Sequence, residues 1–162
     1  MPTKSESVEG SRDLIVDSVL SASRVLVALA ARSLGDVAEE VTLTQYRTLV
    51  VLASRGPQSL ADLAEAVDVT PPTATRMCDR LVRKGLIVRR QDRGDRRLIR
   101  LTLAKKGREL VDAVTERRRA EIADLLEAIP SGQQAALVDS LQRLTAAAGE
   151  VPEQDWSTGW DL

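Results

Sequence analysis

Tyr46, Trp156 and Trp160 are the only aromatic residues in a chain of 162, and phenylalanine is absent altogether. A core for this chain must therefore be assembled from Leu, Val, Ile and Ala. Aliphatic side chains recurring every three or four residues interlock between helices without rings to fill wide gaps, so the sequence predicts a mainly α fold and argues against a β-sandwich. The length suits one compact core and falls short of two ordinary domains.

Several function classes are disfavoured at once. The polar stretch from Met1 to Arg12 lacks the apolar segment of a signal peptide, and no run reaches the roughly 18 uninterrupted apolar residues of a membrane span. A cytoplasmic chain without membrane attachment is expected. Cys78 is the single cysteine and histidine is absent, so neither an internal disulfide nor the usual zinc, copper or haem ligand sets can form. No metal or cofactor is expected, although carboxylate-only sites stay open. With no His, no glycine-rich phosphate loop and no nucleophile beside a base, the chain is not expected to be an enzyme.

A formal charge of -1 hides a strong segregation. From Thr70 to Arg108 the chain carries thirteen Lys or Arg against three Asp, a local net of +10, leaving -11 on the remainder. Such a block inside an acidic protein is the footprint expected where phosphates are met.

Periodicity and caps divide the chain. Leu14, Ile15, Val19, Ala22, Leu26, Leu29 and Ala30 predict a first helix from Asp13 to about Leu34, after a flexible N-terminus over residues 1–12. Thr44 is the expected cap of a second helix, which Arg55-Gly56-Pro57 ends. Ser59 with Asp62 marks a short third helix, and Thr70 with Pro71 opens a fourth that ends near Lys84, where Gly85 suits a left-handed cap. Leu86–Arg90 and Leu98–Leu103 predict a hairpin around the turn-forming residues Gln91 to Asp95. Thr102 is a candidate cap for a long fifth helix reaching about Ala128, with Arg117, Arg118 and Arg119 in its middle. Pro130 breaks it, and Ser131 with Gln134 reads as a capping box for a sixth. From Gly149 a polar tail is expected, with Trp156 and Trp160 unexplained.

Two short helices joined by a tight turn, the second bearing small polar and basic residues on its outward start, suit entry into a DNA major groove. Pro72, Thr73, Thr75 and Arg76 are the candidates for base contact, since Thr offers a hydroxyl and a methyl and Arg can pair bidentately with guanine. Arg80, Arg83 and Lys84 lie nearer the phosphates. On the hairpin tip, Arg93 and Arg96 are candidates for the minor groove, where the potential is most negative. Arg97 either joins them or pairs with Asp95 or Asp92 to shape the tip.

Leu63-Ala64, Thr73-Ala74-Thr75-Arg76, Asp79-Arg80-Leu81, Lys84-Gly85-Leu86-Ile87, Asp95-Arg96-Arg97 and Leu101-Thr102-Leu103-Ala104-Lys105-Lys106-Gly107 follow in an order that resembles the MarR family of bacterial transcription regulators, from about Leu14 to Leu144. The resemblance implies a winged helix-turn-helix at residues 44–102, flanked by dimerisation helices at 13–35 and 103–148, with a tail at 149–162. It further implies a homodimer that binds double-stranded DNA at a palindromic operator, its recognition helices roughly 34 Å apart. Family members are commonly repressors released by small, often aromatic, ligands. A pocket here would draw on Arg24 or Val27 of the first helix, Tyr46 and Arg47 of the second, and the start of the fifth.

Some members of that family sense oxidants through a cysteine near the first helix. Cys78 instead falls on the inward stripe of the fourth, where a thiol behaves as a small hydrophobe. The alternative to DNA binding is a winged helix used only for protein contacts, which gives no reason to concentrate positive charge on the hairpin.

Overall fold

The computed structural model describes residues 4–35, 37, 41–92, 94–95 and 97–156. The order is α1 (Lys4–Leu34), α2 (Leu43–Arg55), α3 (Leu60–Ala66), α4 (Pro71–Arg83), β1 (Ile87–Gln91), β2 (Ile99–Leu103), α5 (Lys105–Leu126) and α6 (Ser131–Ala147), followed by a 3-10 turn at Glu153–Asp155. The fold is mainly α with one hairpin, as the aliphatic composition required. α1 begins at Lys4, earlier than the Asp13 expected from its apolar spacing.

Local chemistry explains most boundaries. Ser59 and Asp62 form a reciprocal capping box at α3, and Gly85 adopts the left-handed φ of 69° just beyond α4. The tight turn between α3 and α4 passes through Asp68 at φ 52°, a conformation that Asp tolerates better than most side chains. Four expected caps are corrected. α2 starts earlier than expected, with Thr42 and Gln45 in the capping box and Thr44 already inside the helix. The Thr70 side chain caps no backbone N–H and meets the Thr73 hydroxyl at 3.0 Å instead. α6 follows Pro130, and Gln134 reaches back to the Ile129 carbonyl rather than completing a box with Ser131.

The fourth correction concerns α5, which starts after Ala104 and not at Thr102. Thr102 belongs to β2, and its buried hydroxyl has no partner among the described residues. The Ala104 N–H donates to the Leu86 carbonyl at 3.0 Å. That same oxygen lies 2.0 Å from where a Cβ on Gly107 would stand, so the first turn of α5 can pass over the Leu86 backbone, just ahead of β1, only where the side chain is missing.

β1 and β2 pair antiparallel, Ile87 opposite Leu103 and Gln91 opposite Ile99. Gln58 adds a short third rung, its N–H and C=O bonded to Leu101 at 3.0 and 2.7 Å. The core gathers α2, the inner faces of α3, α4 and β1, and the first half of α5, centred on Leu49, Leu63, Cys78, Leu81, Leu86 and Val114, each 0% exposed.

The flanking helices differ. Among the side chains of α1 from Gly10 onward, only those at its C-terminal end are buried, at Leu29, Ser33 and Leu34, while Leu14, Ile15, Val19 and Leu26 stand exposed. α6 buries no residue at all. By length and apolarity Gly10–Leu34 would also satisfy a bilayer-crossing helix, although scattered polar residues interrupt its apolar run.

Candidate nucleic-acid interface

α4 is two-faced. Its inward residues Ala74, Met77, Cys78 and Leu81 are buried, and the turn-by-turn spacing that sinks them turns Pro72, Thr75, Arg76, Arg80 and Arg83 to solvent. Thr73 is half-buried beside Thr70. The Thr75 hydroxyl donates to the Pro71 carbonyl at 2.9 Å, leaving its methyl and a lone pair facing outward. Burial pushes the Cys78 thiol up from its ordinary pKa, so at neutral pH it is protonated and packs as an apolar group.

On the hairpin, Arg93 and Arg96 lie outside the described residues. The tip between the strands is shaped by aspartates. Asp92 Oδ1 accepts the N–H groups of Gly94 and Asp95 at 2.8 and 3.1 Å, and Asp95 Oδ1 accepts that of Arg97 at 2.9 Å. Among the described residues the cation that meets Asp92 is Arg100, through Nε at 3.1 Å, a role the sequence had offered to Arg97, whose own side chain is exposed. Arg100 also meets Asp62 of α3 at 3.3 Å, and Arg89 of β1 meets Asp79 of α4 at 2.5 Å. Two arginines of the basic block are thus engaged inside the protein, tying the hairpin to both helices of the helix-turn-helix.

A second feature lies on the far side of α2. A cavity of about 390 Å³ is lined by Ala30, Leu43, Tyr46, Arg47, Val67 and Arg118 among others. Tyr46 and Arg47 were candidates for such a pocket. Arg24 and Val27 stand on the exposed part of α1, with Arg24 Nη2 on the Ser21 hydroxyl at 3.1 Å and Val27 60% exposed. The sequence reading missed Arg118, whose guanidinium sits 5.7 Å above the Tyr46 ring centre. Its Nε is buried without a partner among the described residues. Beyond Tyr46 a further cavity of about 340 Å³ is walled by α5 and by Glu153 and Trp156 of the tail. Its only advance sign was an arginine triplet set in an amphipathic helix.

Comparison with known proteins places this winged helix among its relatives. Residues 41–99 match the MarR family, and the chain is 30% identical over 119 residues to the HTH-type transcriptional repressor MdtR of Bacillus subtilis, covering 74% of this chain and 77% of that protein. This chain belongs to the MarR family. Among solved MarR-like structures, RV1404 from Mycobacterium tuberculosis superposes with a TM-score of 0.79 at 43% identity, over 88% of this chain and 97% of that one. A MepR mutant of S. aureus, solved with a bound oligodeoxyribonucleotide, shares the fold at TM-score 0.58 and 23% identity, over 83% and 97%. MarR relatives are named as transcriptional regulators, a role without catalysis.

Proposed function

We propose that this MarR-family chain is a homodimeric repressor that reads a palindromic operator with α4 and grips the flanking minor groove with the hairpin tip. The observation that carries the reading is the exposed row Thr75, Arg76, Arg80 and Arg83 on a helix whose opposite side is sealed into the core. A protruding helix with short polar and basic groups matches the major groove in width and chemistry. Pro72, Thr73, Thr75 and Arg76 meet bases. Arg80 and Arg83 meet phosphates, and Arg93, Arg96 and Arg97 serve the wing.

The second copy is assigned to α1 and α6. Leu14, Ile15, Val19, Leu26, Val138, Leu141 and Leu144 are each 44–68% exposed, and large apolar side chains gathered on exposed helix faces mark an interaction surface. A two-fold pairing of these faces covers them and sets two copies of α4 toward one side of a duplex. The MdtR relative bears the name repressor, and the MepR neighbour was solved on DNA, both in keeping with this reading and with a cytoplasmic protein. A small aromatic ligand in the cavity at Tyr46, Arg47 and Arg118 would release the operator by shifting α2 against α5.

The test is fluorescence anisotropy against a labelled duplex from upstream of the protein's own gene, at two salt concentrations, with scrambled DNA as control. Preference for the upstream duplex that weakens steeply with salt is expected. No binding to either duplex at low salt overturns the reading in favour of a protein-contact module.

A further inference from the structure

Beyond the residues that face DNA, we propose that Arg100 is the positioning residue of the wing, bridging Asp62 at the start of α3 and Asp92 at the base of the hairpin tip. In doing so it fixes the tip relative to α4 without touching DNA itself. The inference rests on the DNA-binding reading above.

The geometry divides the work between the oxygens of two carboxylates. Asp92 shapes the tip with Oδ1, which accepts the Gly94 and Asp95 N–H groups, and offers Oδ2 to Arg100 Nε at 3.1 Å. Asp62 Oδ2 accepts the Ser59 N–H at 3.1 Å and faces Arg100 Nη1 at 3.3 Å. The bridge therefore runs from the capping box of α3, which the core holds through Leu63 and Ala64, to the turn that carries Arg93 and Arg96. The planar fork of Arg, with donors on separate edges, suits this span of two carboxylates better than the compact ammonium of Lys.

The tip requires such a tie. β2 is anchored at Leu101 by its paired bonds to Gln58, but beyond Arg100 the hairpin has no core beneath it, with Leu98 and Ile99 47% and 49% exposed. A two-stranded ribbon is marginally stable on its own. Hydrogen bonds from Ser59 and from Gly94, reinforced by Arg100, hold the carboxyls of Asp62 and Asp92 below their usual range, so both stay charged wherever DNA would bind. Two acids at the edge of a phosphate-facing surface repel DNA. Their presence is accounted for by what they hold in place.

That contradiction between charge and position supplies the test. Asp92→Asn retains an oxygen for Gly94 and Asp95 while placing an amide toward Arg100. It also removes a negative charge, so simple electrostatics predicts tighter DNA binding, whereas the bridge predicts weaker. We expect Asp92→Asn to bind the upstream duplex about fivefold more weakly than the wild type, with its preference over scrambled DNA reduced and its thermal midpoint nearly unchanged. Arg100→Lys, which keeps the charge and loses the fork, should show the same loss.

Asp92→Asn binding as tightly as wild type or tighter overturns the proposal, as does an Arg100→Lys variant indistinguishable from wild type, which would make Arg100 an ordinary phosphate contact. Either result leaves the DNA-binding reading intact. Failure of the wild type itself to bind both duplexes removes the reading and the bridge together.

Discussion

The guanidinium of Arg47 on α2 meets both carboxylate oxygens of Glu150, Nη1 to Oε1 at 2.8 Å and Nη2 to Oε2 at 2.5 Å. Further along the same helix, Arg55 Nη2 donates to the Gly149 carbonyl at 3.2 Å, and Trp156 packs against the core with its indole N–H on the Val151 carbonyl. The chain leaving α6 therefore straps back over α2, the helix on which the DNA-reading unit is built. Any movement of the flanking helices against that unit has to strain or release this strap.

The ion pair gives a pH signature. Bonding to Arg47 lowers the Glu150 pKa below its ordinary 4.5, so its stabilisation is present above about pH 4.5 and disappears as pH falls through the lowered folded value. Both side chains are about one-third exposed, which limits the bidentate pair to about 1 kcal/mol. Glu150→Gln should be less stable than wild type by that amount at pH 7 in urea unfolding. The gap should narrow as pH falls below 4.5, and a gap that stays unchanged down to acid unfolding would show that the carboxylate charge is not the cause.

Trp156→Ala removes one wall of the cavity beyond Tyr46 and leaves the strap to the Arg47–Glu150 pair and the Arg55 bond to Gly149. For a half-buried indole the loss should be about 1–2 kcal/mol. Limited proteolysis should then cut between Gly149 and Asp155 faster than in the wild type; equal cutting rates would mean that the indole does not retain the segment.

Gly107 belongs to the Leu-Thr-Leu-Ala-Lys-Lys-Gly stretch on which the family resemblance was drawn, and the structure supplies its physical reason. An added methyl at this position would stand 2.0 Å from the Leu86 carbonyl oxygen, so Gly107→Ala must push the start of α5 away from the Leu86 backbone. Despite alanine's better helix propensity it should cost about 3 kcal/mol, read as a fall in the urea midpoint. A neutral or stabilised variant would show that the crossing has slack.

Arg76 and Arg83 stand on one exposed face of α4 but at different heights. Arg76→Ala should cost about 1–3 kcal/mol against the operator and little against scrambled DNA, because a base contact is lost. Arg83→Ala should weaken both duplexes alike and lower the salt slope by about 1. The roles are reversed if Arg83→Ala is the variant that loses preference.

The sequence was most readable where a feature depends on neighbours three or four residues away. Ser59 with Asp62, Pro71 at the head of α4 and Gly85 at its end are such features. Thr42 and Gln45 carried the same spacing, and the neighbouring Thr44 obscured it. Thr102 failed as a cap because the start of α5 is set by the Leu86 carbonyl from another element, and the Ser131 box failed because Gln134 found Ile129 behind it. The candidate DNA face followed from periodicity, since whatever places Cys78 and Leu81 inward places Arg76 and Arg80 outward. Arg100 with Asp62, Arg118 over Tyr46 and Glu150 with Arg47 join residues far apart in the chain, for which no local spacing exists. Trp156 was noticed as an oddity and not as a cavity wall for the same reason.

α6 has no buried residue in the isolated chain, so its fold is completed only by whatever covers it. If a second copy does so, the law of mass action enters the protein's stability: the thermal midpoint rises with concentration, and the operator-competent species grows with the square of a dilute supply. A modest change in synthesis would then produce a disproportionate change in occupancy, making the protein a sensor of its own dosage.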